Sequence, residues 1–255
     1  KEKKVIWLDN WEENWDNLPF IKSSLSNGIL KVLNSSYLER NESIIKNSQA
    51  YEYYLKGRYK FEKRNNIEDV DVARELLKEA IKIDGSLTKA EVLLGWTYFM
   101  MADYETAQEI FDSALIKYEK CSDKRGMRMC YSNIGNVYFH KGEYDDALKY
   151  HKLANKLAKE IGDESGKILM SIGNIYFRMG NYEKALQNYN SELKFYENIS
   201  DKLAFDSVKY NVRVLLANIS RVYIYKGNYD VALKYLIRIH KISEEVGNKS
   251  WIGQS

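Results

Sequence analysis

Two stretches decide the fold: IGNVYFHKGEYDDAL at 134–148 and IGNIYFRMGNYEKAL at 172–186. They share an Ile-Gly-Asn opening, a Tyr-Phe pair, a second glycine, a tyrosine and a closing Ala-Leu. A third copy, ISRVYIYKGNYDVAL at 219–233, keeps the tyrosines, the Lys-Gly turn and the alanine, and LGWTYFMMADYETAQ at 94–108 is a fourth. Gly95 to Gly135 is 40 residues, Gly135 to Gly173 is 38, and Gly173 to Ser220 is 47. Periods of this size belong to helical repeats, in which a hairpin that cannot bury its own apolar face stacks on its neighbour.

The residues between 131 and 154 say how one copy folds. Tyr131, Ile134, Gly135 and Tyr138 fall at i, i+3, i+4 and i+7, the stripe of one helix face. Gly142 follows as a residue that tolerates positive φ, which a helix C-cap requires. Tyr144, Ala147, Leu148 and Ala154 then line a second helix. Glycine and alanine let the two backbones approach, and tyrosines fill the space beside them. The composition agrees: 45% of residues are apolar, 29% are charged, and Pro19 is the one proline in 255 residues. The fold class expected is all-α.

These residues resemble the tetratricopeptide family, whose pattern runs aromatic, Leu-Gly, Tyr, then Ala, Phe and Ala along a helical hairpin. Leu94, Gly95, Tyr98, Ala107, Phe111 and Ala114 match it best. The family's proline at the repeat end is missing, and Glu192 and Ile239 stand where a small alanine belongs, so longer second helices and looser junctions are expected. An earlier copy at 50–84 carries Leu55, Gly57, Ala73, Leu77 and Ala80, with a short insertion around Arg64 to Asp69. The resemblance implies a right-handed superhelix of stacked antiparallel hairpins over 50–255. The hairpins fall at about 50–84, 88–121, 128–161, 166–199 and 213–247, and the array is cut before a further repeat. Residues 1–49 read as the tail of an upstream domain and a connector, with a short strand around Val5, Trp7 and Leu8 and an amphipathic helix from Leu18 to Leu33. WEENWDNLPFIKSSLSNGILKVLN followed by AYEYYLKGRY is similar to the entrance of tetratricopeptide regions in bacterial signalling proteins such as nucleotide cyclases, protein kinases and transcription regulators. That similarity implies the regulatory arm of a longer polypeptide.

In the family the first helices line a concave groove, so the resemblance implies a peptide or protein partner held there. Asn136 and Asn174 each follow the repeat glycine, and an asparagine offers both a donor and an acceptor to a peptide backbone. In several family members an asparagine in this place contacts the ligand backbone. Around them fall Ser132, Phe139 and His140, then Lys167, Met170, Phe177 and Arg178, then Arg221, Ile224 and Tyr225. The mixture suits an extended peptide with acidic and apolar side chains. Two blander readings stay open: the asparagines as helix-satisfied surface groups, and Phe139 and Phe177 as core.

Other function classes find little support. With 39 basic against 36 acidic residues the net charge is +3, mixed along the chain, which argues against a nucleic-acid binder. No run approaches the roughly 18–20 apolar residues of a membrane span and the start has no signal-peptide pattern, so a cytoplasmic location is expected. Cys121 and Cys130 form no metal or disulfide pattern. His140, His151 and His240 lie apart, and no HExxH, GxSxG or P-loop occurs. Asp145 and Asp146 open a helix, where they complement its dipole. The expectation is a non-enzymatic scaffold without cofactor or metal, with self-association as the alternative to a groove-bound partner.

Overall fold

The computed structural model describes residues 38–163, 167–200 and 206–252, with side chains in 48–163, 168–198 and 208–244. The strand expected at 5–8 and the helix expected at 18–33 lie outside the described residues. Ten helices occupy what is described: α1 Leu38–Glu62, α2 Ile67–Ile83, α3 Thr88–Met100, α4 Tyr104–Lys120, α5 Lys124–Lys141, α6 Tyr144–Glu160, α7 Lys167–Arg178, α8 Tyr182–Ser200, α9 Asp206–Tyr225 and α10 Tyr229–Ile252. No strand occurs among the described residues. The helices pair as hairpins, and each odd-numbered helix is the first of its pair. The chain divides into two compact units, one running to Ile110 and the other starting at Phe111.

In the first unit, α1 packs on α2 and α2 on α3. The core joins Tyr54 and Leu55 of α1 to Leu77 and Ala80 of α2 and Ala90 of α3. Asn66 caps α2 by accepting the Asp69 N–H at 3.0 Å, which satisfies one of the donors a helix start leaves over. Arg74 ties α2 to α3: its Nε donates to Thr97 Oγ1 at 3.2 Å, and its guanidinium lies over the Tyr98 ring at 4.5 Å.

In the second unit, α5–α6, α7–α8 and α9–α10 are consecutive hairpins, and α7 also packs on α6 and α9 on α8. Asp123 caps α5 by accepting from the N–H groups of Arg125 and Gly126, both at 3.0 Å. Ala154, Ala158, Ile168 and Ile172 form one core cluster; Ala185, Tyr189, Leu193, Leu215, Leu216, Ile219 and Val222 belong to the next.

The turns inside the last three hairpins are the same device. Gly142, Gly180 and Gly227 take left-handed φ of 83°, 75° and 75°. The next residue's N–H then reaches back to a tyrosine carbonyl: Glu143 to Tyr138 at 2.9 Å, Asn181 to Tyr176 at 2.8 Å and Asn228 to Tyr223 at 2.9 Å. The turn between α3 and α4 makes this bond too, Asp103 to Tyr98 at 3.1 Å, but Ala102 stands in the glycine's place at φ 59°.

Candidate functional site

The residues singled out by sequence sit at matching places along adjacent first helices, for α5 touches α7 and α7 touches α9. Ser132, Asn136, Phe139 and His140 on α5 match Met170, Asn174, Phe177 and Arg178 on α7. Arg221, Ile224 and Tyr225 hold the last three of these places on α9. The spacing of four, then three and one puts each set on one helix face. Lys167 opens α7, and its side chain lies outside the described residues.

The two asparagines differ in what surrounds them. Gly173 carries no side chain because the Tyr189 ring occupies that volume; a Cβ there would come within 2.5 Å of Tyr189 Cε1. From this seat, 1% exposed, the Tyr189 hydroxyl donates to Asn174 Oδ1 at 2.7 Å. Burial pushes the Tyr189 phenol far above its usual range, so it stays a donor. The Asn174 carboxamide is thus oriented by the core, and its NH2 group is what it offers outward. In the preceding hairpin His151 occupies the corresponding slot, 2% exposed, with Cδ2 2.7 Å from where a Gly135 Cβ would stand. Burial holds its imidazole at about 4, neutral at ordinary pH. No hydroxyl reaches Asn136 from that place, so the half-buried Asn136 amide keeps both functions.

The aromatic and basic members join hairpins together. Phe139 lies 5.9 Å from the Tyr144 ring, and the hydroxyl of Tyr144 accepts from Arg178 Nε of the next hairpin at 3.1 Å. Phe177 and Tyr182 are 5.8 Å apart, and Tyr225 of the following hairpin sets its ring edge-on to Phe177 at 5.1 Å. Phe139 and Phe177 are half-buried, between the core and contact readings. His140 is exposed, and partial burial lowers its pKa.

Sequence reasoning missed two features here. Glu192, expected to loosen a junction, is 1% exposed, and its Oε2 accepts the N–H of Met170 in the first turn of α7. It acts as a cap supplied by a neighbouring helix. Near the same helix start, a cavity of about 270 Å³ opens between Asn155, Ala158, Lys159, Asp163, Ile168, Leu169 and Phe195.

Family models described as tetratricopeptide repeat match residues 89–120 and 126–198, the second of which carries α5 and α7 of this face. These two stretches are tetratricopeptide repeats. Over 65 residues it is 35% identical to G-protein-signaling modulator 1 of Homo sapiens; the match takes in 26% of this chain but 9% of that protein. Among solved structures, the apo form of RapI superposes with a TM-score of 0.65 at 20% identity, covering 80% of this chain and 74% of RapI. BtubC from P. vanneervenii superposes with a TM-score of 0.70 at 14% identity, covering 92% and 93%. The tetratricopeptide-like repeats of a Podosopora anserina kinesin light chain reach 0.61 at 13% identity, covering 80% and 98%. At these identities the likeness is one of fold. No helix among the described residues is long and apolar enough to cross a membrane.

Proposed function

We propose that this tetratricopeptide array is a protein-interaction scaffold that holds an extended, acidic peptide along the first helices of its second unit, with Asn136 and Asn174 pairing the peptide backbone. The observation that carries this reading is the pair of half-buried carboxamides at one place on adjacent helices. Charge supports it. Helices α5 and α7 contain no Asp or Glu, and α9 contains Asp206 alone, while Arg128, Arg178, Arg213 and Arg221 lie on the same three helices. The second helices carry carboxylates freely, Asp145, Glu183 and Asp230 among them. Arg128 is already paired with Asp163 at 3.2 Å, so a ligand whose carboxylates face the first helices gains Coulomb energy from the other three arginines.

The test must respect Tyr189. Asn174→Ala alone strands a buried hydroxyl, a loss of about 1–3 kcal/mol in stability, so the informative variant is Asn136→Ala with Asn174→Ala and Tyr189→Phe. A random peptide library panned on the 255-residue chain should yield acidic, apolar-interrupted sequences. Their affinity should fall by about tenfold or more in the triple variant while its helical circular dichroism is kept. Enriched peptides that bind both proteins equally, or a library that enriches nothing, would overturn the reading. A second reading, an association arm of a larger signalling protein, is favoured by the exposed apolar end of the last hairpin.

A further inference from the structure

The cavity at the start of α7 combines an apolar interior with an uncompensated positive charge. Its volume is about 270 Å³. An apolar cavity of roughly 150 Å³ takes benzene, so this one has room for an aromatic ring and a short chain. Ile168, Leu169 and Phe195 supply the apolar wall, and the last two are only half-buried. Asn155 and Lys159, one turn apart on α6, supply a polar lip. Asp163 also lines the cavity, but Arg128 holds it at 3.2 Å. The carboxylates next along the chain are engaged too: Glu160 pairs with Lys124 at 2.9 Å, and Glu197 with Arg238. Among the described residues Lys159 makes no ion pair and Asn155 no side-chain hydrogen bond. The C-terminal end of α6 and the N-terminal end of α7 meet at the cavity, where their dipoles oppose each other. Side-chain charge therefore decides which sign a ligand carries.

We infer that this cavity is a binding site for a small carboxylic acid with an aromatic or branched apolar body. The body fills the space between Ile168, Leu169 and Phe195, which takes apolar area of the ligand and of the half-buried walls out of water. The carboxylate stays at the lip, where Lys159 supplies the charge and the Asn155 NH2 group donates a hydrogen bond. A primary amine of the same shape would set its cation against Lys159 and find Asp163 already taken. An amino acid carries an ammonium group to the same obstacle, so the acid without one is the preferred ligand. The site uses none of Asn136, Asn174 and Tyr189, and it is independent of peptide binding along the first helices.

The probe is phenylpropionate, with phenylpropylamine and phenylalanine as its charge-altered counterparts, each titrated into the 255-residue chain with isotope-labelled Ile and Leu methyl groups. The methyl signals of Ile168 and Leu169 should shift saturably with phenylpropionate, with a Kd of about 1 mM or lower. The amine and the amino acid should bind about fivefold more weakly or worse. Lys159→Glu should reverse the order, the acid losing affinity and the amine gaining it. Lys159 is exposed and unpaired among the described residues, so the variant keeps its helical circular dichroism. No shift at either residue's methyl groups at about ten times that Kd, equal binding of acid and amine, or an order that survives Lys159→Glu would each overturn the site. The triple variant tests the peptide face and Lys159→Glu tests the cavity, so the two proposals fail separately.

Discussion

His151 takes the place that Phe111 and Tyr189 take in the neighbouring repeats, and it is the polar exception in an apolar slot. Burial depresses its folded pKa to about 4, below the 6.5 of an imidazole in water. Above pH 6.5 the group is neutral whether folded or not and costs nothing. Between 6.5 and 4 the unfolded chain binds the proton and the folded chain does not, so stability is lost as pH falls through that window. Below about 4 the loss levels off at about 3 kcal/mol. His151→Phe should abolish this component: in urea titrations the stability gap, variant minus parent, should widen from pH 6.5 to 4. A gap independent of pH would show that His151 opens or rehydrates before it titrates. Nothing in the sequence near His151 signals burial; the signal is its count from Gly135, which matches that of Tyr189 from Gly173.

At the scale of elements, α7 shows how a departure from the repeat pattern serves the helix it packs on. The first turn of a helix leaves N–H groups without an intrahelical acceptor, and an alanine at 192 would have nothing to offer them. Glu192 supplies the acceptor for Met170. Glu192→Ala should therefore destabilise the second unit by about 1–3 kcal/mol, although alanine is what the family places there. Glu192→Gln, which keeps an acceptor, should cost less. Denaturant unfolding with exchange at the Met170 amide checks both, and an indifferent Glu192→Ala would mean that water caps α7 equally well. The hairpins and their turns were legible in the sequence because they follow from spacing and from glycine, both local. The cap was not, because it joins residues 22 apart through a helix start that no local signal marks. The candidate face was legible as a set of places. The Tyr189 bond that splits Asn174 from Asn136 was hidden, since tyrosines in the stripe read as packing alone.

Over the whole molecule, the near-neutral charge of +3 conceals a partition in which the first helices α5, α7 and α9 hold one carboxylate, Asp206, and second helices hold many. An acidic peptide bound to the first helices should weaken as salt rises from about 50 to 500 mM, because a Debye length near 10 Å at 0.1 M screens its exposed contacts. The hydrogen bonds to Asn136 and Asn174 should persist. Titration calorimetry at several salt concentrations separates the two, and affinity indifferent to salt would mean that apolar side chains alone select the ligand.

Four turns inside hairpins share one hydrogen-bonding plan, and three of them place glycine where the backbone turns left-handed. Ala102 holds the fourth against the clash that a Cβ suffers there, roughly 1–2 kcal/mol for one residue. Among the turns inside hairpins the strain makes this the one whose opening is least opposed, so of these hairpins α3–α4 is where thermal breathing and a protease's first cut would begin; Ser122, at φ 55°, carries like strain between α4 and α5. One substitution, Ala102→Gly, would move that weakest point elsewhere along the array.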